Sequence, residues 1–208
     1  SSLVSKGYIF LLVKIFYRVI GFEYIADSHV LNIIFWFAIC GMIFGSMNAI
    51  WEKDIRRMIA FSSVAQIGYI YMGFGLGTDL GMVASVFHIL SHALTKSLLF
   101  VAASGITAVS GKRKDFDSLT GAGYRNPLAG VAFTVGSLSM IGFPLLAGFI
   151  SKLTFAEAAL GADWKMIPTM IALVISTVLN AIYFMKTVIR IYTPAPEMEK
   201  ERGYIRIK

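Results

Sequence analysis

LGMVASVFHILSHALTKSLLFVAASGITAVSG, residues 80–111, decides the fold class. It is a 32-residue apolar run whose only ionisable side chains are His88, His92 and Lys96. A bilayer core of about 30 Å is crossed by roughly 20 apolar residues in a helix, so this stretch is long enough to span and to protrude. The three ionisable groups are spaced four and four. On a helix that stacks them along one face, about 6 Å apart at 1.5 Å per residue. A charged group at the bilayer centre costs about 2.5–3.5 kcal/mol on insertion scales, so such groups normally face a bundle interior or a hydrated path.

The flanking sequence repeats the pattern. Val30–Trp51 gives 22 residues without a charge, Met58–Thr78 gives 21, and Met166–Met185 gives 20. Pro127–Ser151 continues past Lys152 towards Leu160, and Ser1–Ile20 is apolar around Lys6 and Lys14. These runs lack the alternation and the roughly 10-residue length of barrel strands. They predict an all-α, polytopic helix bundle of about six membrane segments.

Composition agrees. Hydrophobic residues make up 57% and charged residues 15% of the 208 residues, against about 45–50% and 25% in soluble domains. The mean hydropathy is +0.72. The single Cys40 lies inside an apolar run, so no disulfide framework is implied. A net charge of +7 does not indicate nucleic acid, because the basic residues are dispersed between apolar runs. Numbered alternately, one face receives 13 of the 19 lysines and arginines, from Lys53, Arg56 and Arg57 to the C-terminal cluster. The other face receives Lys14, Arg18 and Lys165, and Lys6, Lys96 and Lys152 stay within segments. The positive-inside rule then expects the 13-charge face, with the polar tail 194–208, in the cytoplasm.

Burial disfavours charged ammonium groups, and a lysine poised between its two forms can take up and release protons. The row of His88, His92 and Lys96 is therefore a candidate relay, although each group could instead hydrogen-bond a neighbouring helix. Histidines at this spacing could also ligate a metal or haem, but no carboxylate, cysteine or third histidine accompanies them in these runs, so no metal and no cofactor are expected. In IGFPLLAGFISK (141–152), Pro144 removes a backbone donor and, with Gly142 and Gly148, predicts a broken helix. Broken membrane helices expose backbone polar groups where protein or a hydrated cavity receives them, which places Lys152 on a candidate ion path. Asp54, Arg56 and Arg57 sit at a helix entry and read best as capping or topology charges.

Four stretches together resemble one family. DIRRMIAFSSVAQIGY (54–69) is similar to the D-x-[KR]-R-x-x-A-[YF]-S-S-x-x-Q-x-G-Y signature of antiporter-like subunits, with Asp54, Arg57, Ser62, Ser63 and Gln66 in its fixed positions. These subunits occur in respiratory complex I, Mrp-type sodium/proton antiporters and membrane-bound hydrogenases. HILSHALTKSLLF (88–100) matches the family's H-x-x-x-H-x-x-x-K helix, and GFPLLAGFISK (142–152) its broken helix. SLVSKGYIFLLVKIFYR (2–18) resembles the helix that carries a central lysine, here Lys6. The resemblance implies a fold of two inverted five-helix repeats, of which residues 1–193 supply the second plus a connecting helix. It implies proton translocation by Lys6, His88, His92, Lys96 and Lys152, within a larger, redox-driven complex of the plasma membrane.

The family's first repeat is expected ahead of Ser1, in a longer polypeptide or a separate partner chain. Other membrane subunits and the bilayer are the expected partners, with H+ as the ion and Na+ as an open alternative. No nucleotide, flavin or iron–sulfur motif occurs, so no redox catalytic site is expected in this chain. Three other readings stay open at this stage: true sodium/proton exchange, a non-conducting structural subunit, and a membrane oxidoreductase using His88 and His92 as ligands.

Overall fold

The structure is a computed structural model that describes residues 4–21, 24–25 and 29–194, with the side chains of 4–6 and 17 outside the description. Helix α1 (Val4–Lys14) runs into a π-helical turn at Ile15–Ile20. Then come α2 (Val30–Trp51), α3 (Ile55–Leu76) and α4 (Asp79–Ala108). After a 3-10 turn at Phe116–Leu119 and the short α5 (Ala122–Arg125) follow α6 (Pro127–Ile141), α7 (Ala147–Leu160) and α8 (Met166–Tyr192). Four helices are long and apolar enough to cross a membrane: α2, α3, α4, and α8 with the short turn ahead of it. The predicted segment 127–160 is split into α6 and α7, of 15 and 14 residues, each shorter than the roughly 20 needed to span alone. Predicted segment one is helical from Val4 to Ile20, the π-helical turn continuing α1 without a break. The chain is a multi-pass helical membrane bundle.

Local sequence sets the helix ends. Asp54 caps α3, its carboxylate accepting from the Arg56 and Arg57 backbone N–H groups at 2.7 and 3.3 Å. Thr78 caps α4 through the Gly81 N–H at 3.0 Å. Asn126 caps α6 through the Ala129 N–H at 3.2 Å, with Pro127 in the first turn, where its missing N–H costs nothing. The cap on α3 is testable: Asp54→Ala is expected to lower the stability of the detergent-solubilised protein by about 1 kcal/mol, seen as an earlier thermal unfolding transition. An unchanged transition would show that water replaces the cap.

α3 is the central helix, with 72% of its most apolar window buried against 33% for α2. It pairs closely with α2 because small residues let the backbones approach. A side chain at Gly45 would meet the Ala65 backbone, and one at Gly68 would meet Met42 and the Ala38 carbonyl. This is the small-residue packing expected where lipid removes the hydrophobic drive between helices. α1 joins through Ile9, packed with Ile70, Phe74 and Ile89.

The basic residues gather at one end. The Ile55 N–H donates to the Lys114 carbonyl at 3.0 Å, and the Phe116 N–H to the Lys53 carbonyl at 3.2 Å, clipping the loop after α4 to the start of α3. Arg190 of α8 pairs with Asp117 and donates to the Phe116 carbonyl. Arg57 pairs with Glu52 at 3.2 Å, and Arg56 reaches Ser104 and Thr107. At the opposite end Lys165 is not a loop charge but a buried clamp. Its ammonium donates to the Gly75 carbonyl at 2.6 Å and lies against the rings of Phe35 and Trp164. The C-terminal carbonyls of α3 attract a cation there.

Candidate functional site

The sequence places His88, His92 and Lys96 on one helical face, and the structure turns that face of α4 inward, leaving them 4%, 1% and 0% exposed. The two imidazoles stack, centroids 5.9 Å apart and planes inclined by 10°. Tyr69 of α3 also stacks on His88, centroids 5.4 Å apart. The His88 Nδ1 shares a 2.5 Å hydrogen bond with the Ser151 hydroxyl of α7. One end of the row thus touches the broken helix directly.

Lys96 points instead to the first turns of α3. Its ammonium donates to the Ile59 carbonyl at 2.8 Å and to the Ser62 hydroxyl. The same Ile59 carbonyl accepts from the Ser62 and Ser63 hydroxyls at 2.9 and 3.2 Å. The paired serines therefore build a polar pocket inside an apolar helix. Phe184 of α8 presents its ring to the ammonium at 6.0 Å. Oxygen dipoles and an aromatic face are the partners a buried ammonium needs.

The break between α6 and α7 is where backbone accounting matters most, because within a bilayer each polar group needs a partner. α6 ends on Gly142 in the left-handed region, φ 95°. The Phe143 N–H returns to the Leu138 carbonyl at 2.9 Å and the Gly142 N–H to Ser139 at 3.2 Å, the pairing of a Schellman motif. Two carbonyls remain. The Lys152 ammonium donates to that of Ile141 at 2.5 Å, and the Asn180 amide lies 3.5 Å from that of Met140. Lys152 also donates to the Thr177 hydroxyl at 2.8 Å and lies 5.7 Å from the Tyr69 ring centroid. Pro144 sits exposed within the break. Gly148 is buried in the first turn of α7, where any side chain would collide with the Ser139 carbonyl.

A cavity of about 10 Å³ is lined by Gln66, His88, His92, Gly148 and Lys152, so the two histidines and Lys152 face one small space. Gln66 is 1% exposed, and no described protein group lies within hydrogen-bonding reach of its Nε2. Asp54 and Arg57 lie away from this cavity, at the basic end. Lys6 falls on α1, with its side chain outside the described residues.

Sequence reading missed the α8 contribution. Thr169, Ser176, Asn180, Tyr183 and Thr187 form a buried polar face, and Thr177 on the same helix holds the Lys152 ammonium. The signal was present as small polar residues recurring at helical spacing in an apolar run. It was masked because each alone is unremarkable in a membrane helix.

A polytopic helix bundle with a buried ionisable row beside a broken helix defines the class. The particular family follows from comparison: the chain belongs to the NADH:quinone oxidoreductase/Mrp antiporter transmembrane family, whose signature spans residues 3–180. It is 38% identical over 179 residues to NADH-quinone oxidoreductase subunit N of Desulforudis audaxviator (strain MP104C), covering 84% of this chain and 35% of the relative. A chain of the Mrp complex from Dietzia sp. DQ12-45-1b superposes with a TM-score of 0.75 at 31% identity, covering 82% of this chain and 31% of that one. A chain of the membrane-bound sulfane sulfur reductase, an archaeal respiratory membrane complex, gives 0.73 at 26% identity, covering 86% and 38%. This chain spans about a third of the length of the curated relatives it matches.

Proposed function

We propose that this bundle is the proton-translocating part of an antiporter-like subunit in a larger membrane complex. The observation that carries the reading is the buried row of His88, His92 and Lys96, whose two histidines share a small cavity with Lys152 at the break. A neutral imidazole offers one donor and one acceptor nitrogen. A proton can therefore move along the row by being accepted on one nitrogen and released from the other, with water bridging the gaps. Lys96 and Lys152 act as storage points at the two ends. Because charges in a low dielectric repel strongly, protonating one favours emptying the other, and a partner subunit that changes charge nearby can drive the cycle.

In this reading Lys6 links the row to the adjoining repeat, supplied by residues of the same polypeptide or of another. Residues 1–193 form the membrane unit and 194–208 a polar tail. The shared basic end faces the cytoplasm of a plasma-membrane complex. Asp54 and Arg57 hold the helix entry, and Ser62, Ser63 and Gln66 line the path. The TM-score of 0.75 to the Mrp chain supports a second reading, cation/proton exchange, in which flux depends on added Na+.

The test is acidification of vesicles containing the whole complex, followed with a ΔpH-sensitive dye. Lys96→Met keeps the stem volume and removes the proton carrier, and is expected to reduce acidification about a hundredfold, the scale of losing one positioned acid–base group. Retained acidification would favour a non-conducting structural subunit. Dependence on Na+ would move the exchange reading ahead.

A further inference from the structure

Resting on the relay reading, we propose that Asn180, with Tyr183, is a positioning residue that sets how firmly Lys152 holds its proton. The basis is the division of the last two α6 carbonyls. Lys152 takes that of Ile141, and Asn180 lies against that of Met140. The Asn180 amide is itself fixed, because the Tyr183 hydroxyl donates to its Oδ1 at 2.6 Å. Both side chains are buried, 0% and 1% exposed. An amide held by its oxygen keeps its N–H2 aimed in one direction.

The consequence concerns the negative end of a helix dipole. With Asn180 in place, Lys152 faces one uncommitted carbonyl. Without it, the Met140 carbonyl, next along the chain to the Ile141 carbonyl that Lys152 holds, loses that partner, and two uncapped helix-terminal oxygens then favour the protonated form. The titratable groups around Lys152 are Tyr69 on α3 and His88 and His92 on α4; α6 carries none, Glu157 lies further along α7, and α8 contributes the non-titrating Thr177 hydroxyl, with Tyr183 further along. Of these, Tyr183 loses its acceptor when Asn180 becomes leucine, and for that reason Tyr183→Phe is measured beside it. The same stretch of α8 also meets Lys96, through the Phe184 ring. A shift of α8 is therefore felt at both storage lysines, and Asn180 lies on α8 between Thr177 and Phe184, the residues that meet them.

The experiment measures the pH profile of vesicle acidification by the whole complex carrying Asn180→Leu, Asn180→Gln or Tyr183→Phe, with Lys152→Ala alongside. Asn180→Leu is expected to move the profile about one unit towards alkaline pH, a shift of the size a helix terminus can produce in a buried setting. Asn180→Gln, which keeps the donor, is expected to restore most of the original position. Tyr183→Phe frees the amide without deleting it and is expected to shift the profile less. Should Asn180→Leu lower flux equally at every pH, or Asn180→Gln behave like it, the positioning role is overturned and Asn180 is only a packing residue. Normal acidification by Lys152→Ala would instead overturn the relay reading itself, so the two failures are separable.

Discussion

Lys152→Ala is expected to lower proton translocation by about a hundredfold or more while the complex still assembles. The substitution removes the group at the end of the α4 row and the donor to the Ile141 carbonyl. Part of the loss could come from disturbing the break, so a second substitution is needed. Lys152→Arg keeps the charge and the donors, yet guanidinium does not release its proton in proteins. It is expected to preserve folding and still fail to translocate. If arginine supported flux, the side chain would be serving as a fixed charge and not as a carrier.

Gly148→Val is expected to destabilise the bundle by about 3 kcal/mol, from overpacking together with a lost charge-assisted hydrogen bond. The reason is local. The Gly148 position lies against the Ser139 carbonyl in the last turn of α6, so a β-branched side chain must push α7 away from the break. That movement separates Lys152 from Ile141 and Ser151 from His88. Gly148→Ala is expected to show the same defect in milder form. Thermal unfolding of the detergent-solubilised complex checks the ordering of glycine, alanine and valine. Equal stability across the three would mean that the α6–α7 approach is looser than the geometry indicates.

Much of this architecture was legible in the residues. Runs without charge marked the membrane helices, because in lipid a charged side chain is costly wherever it lacks a hydrated path. The four-and-four spacing of His88, His92 and Lys96 puts them on one face by helix geometry alone. Gly142, Pro144 and Gly148 announced the break, since proline removes a donor and glycine permits a left-handed turn. What composition could not supply was direction. Nothing in the sequence alone tells Lys96 to turn to Ser62 and Ile59 of α3 while His88 turns to Ser151 of α7. Hydropathy counted Lys165 among loop charges, whereas packing buried it against the end of α3. The α8 contribution was hidden for a related reason. Thr177, Asn180 and Tyr183 matter only through the partners that tertiary packing brings to them, and periodicity records a face without saying what it meets.

The central claim is that Lys96 and Lys152 lie on one path, and double-mutant comparison tests it most directly. Acidification rates are measured for Lys96→Met, for Lys152→Met and for the pair in the intact complex. Residues that act as a unit are strongly non-additive, so the account predicts that the double variant is no slower than the slower single one. If the two losses multiplied, the lysines would be acting independently, and the single buried relay would be contradicted.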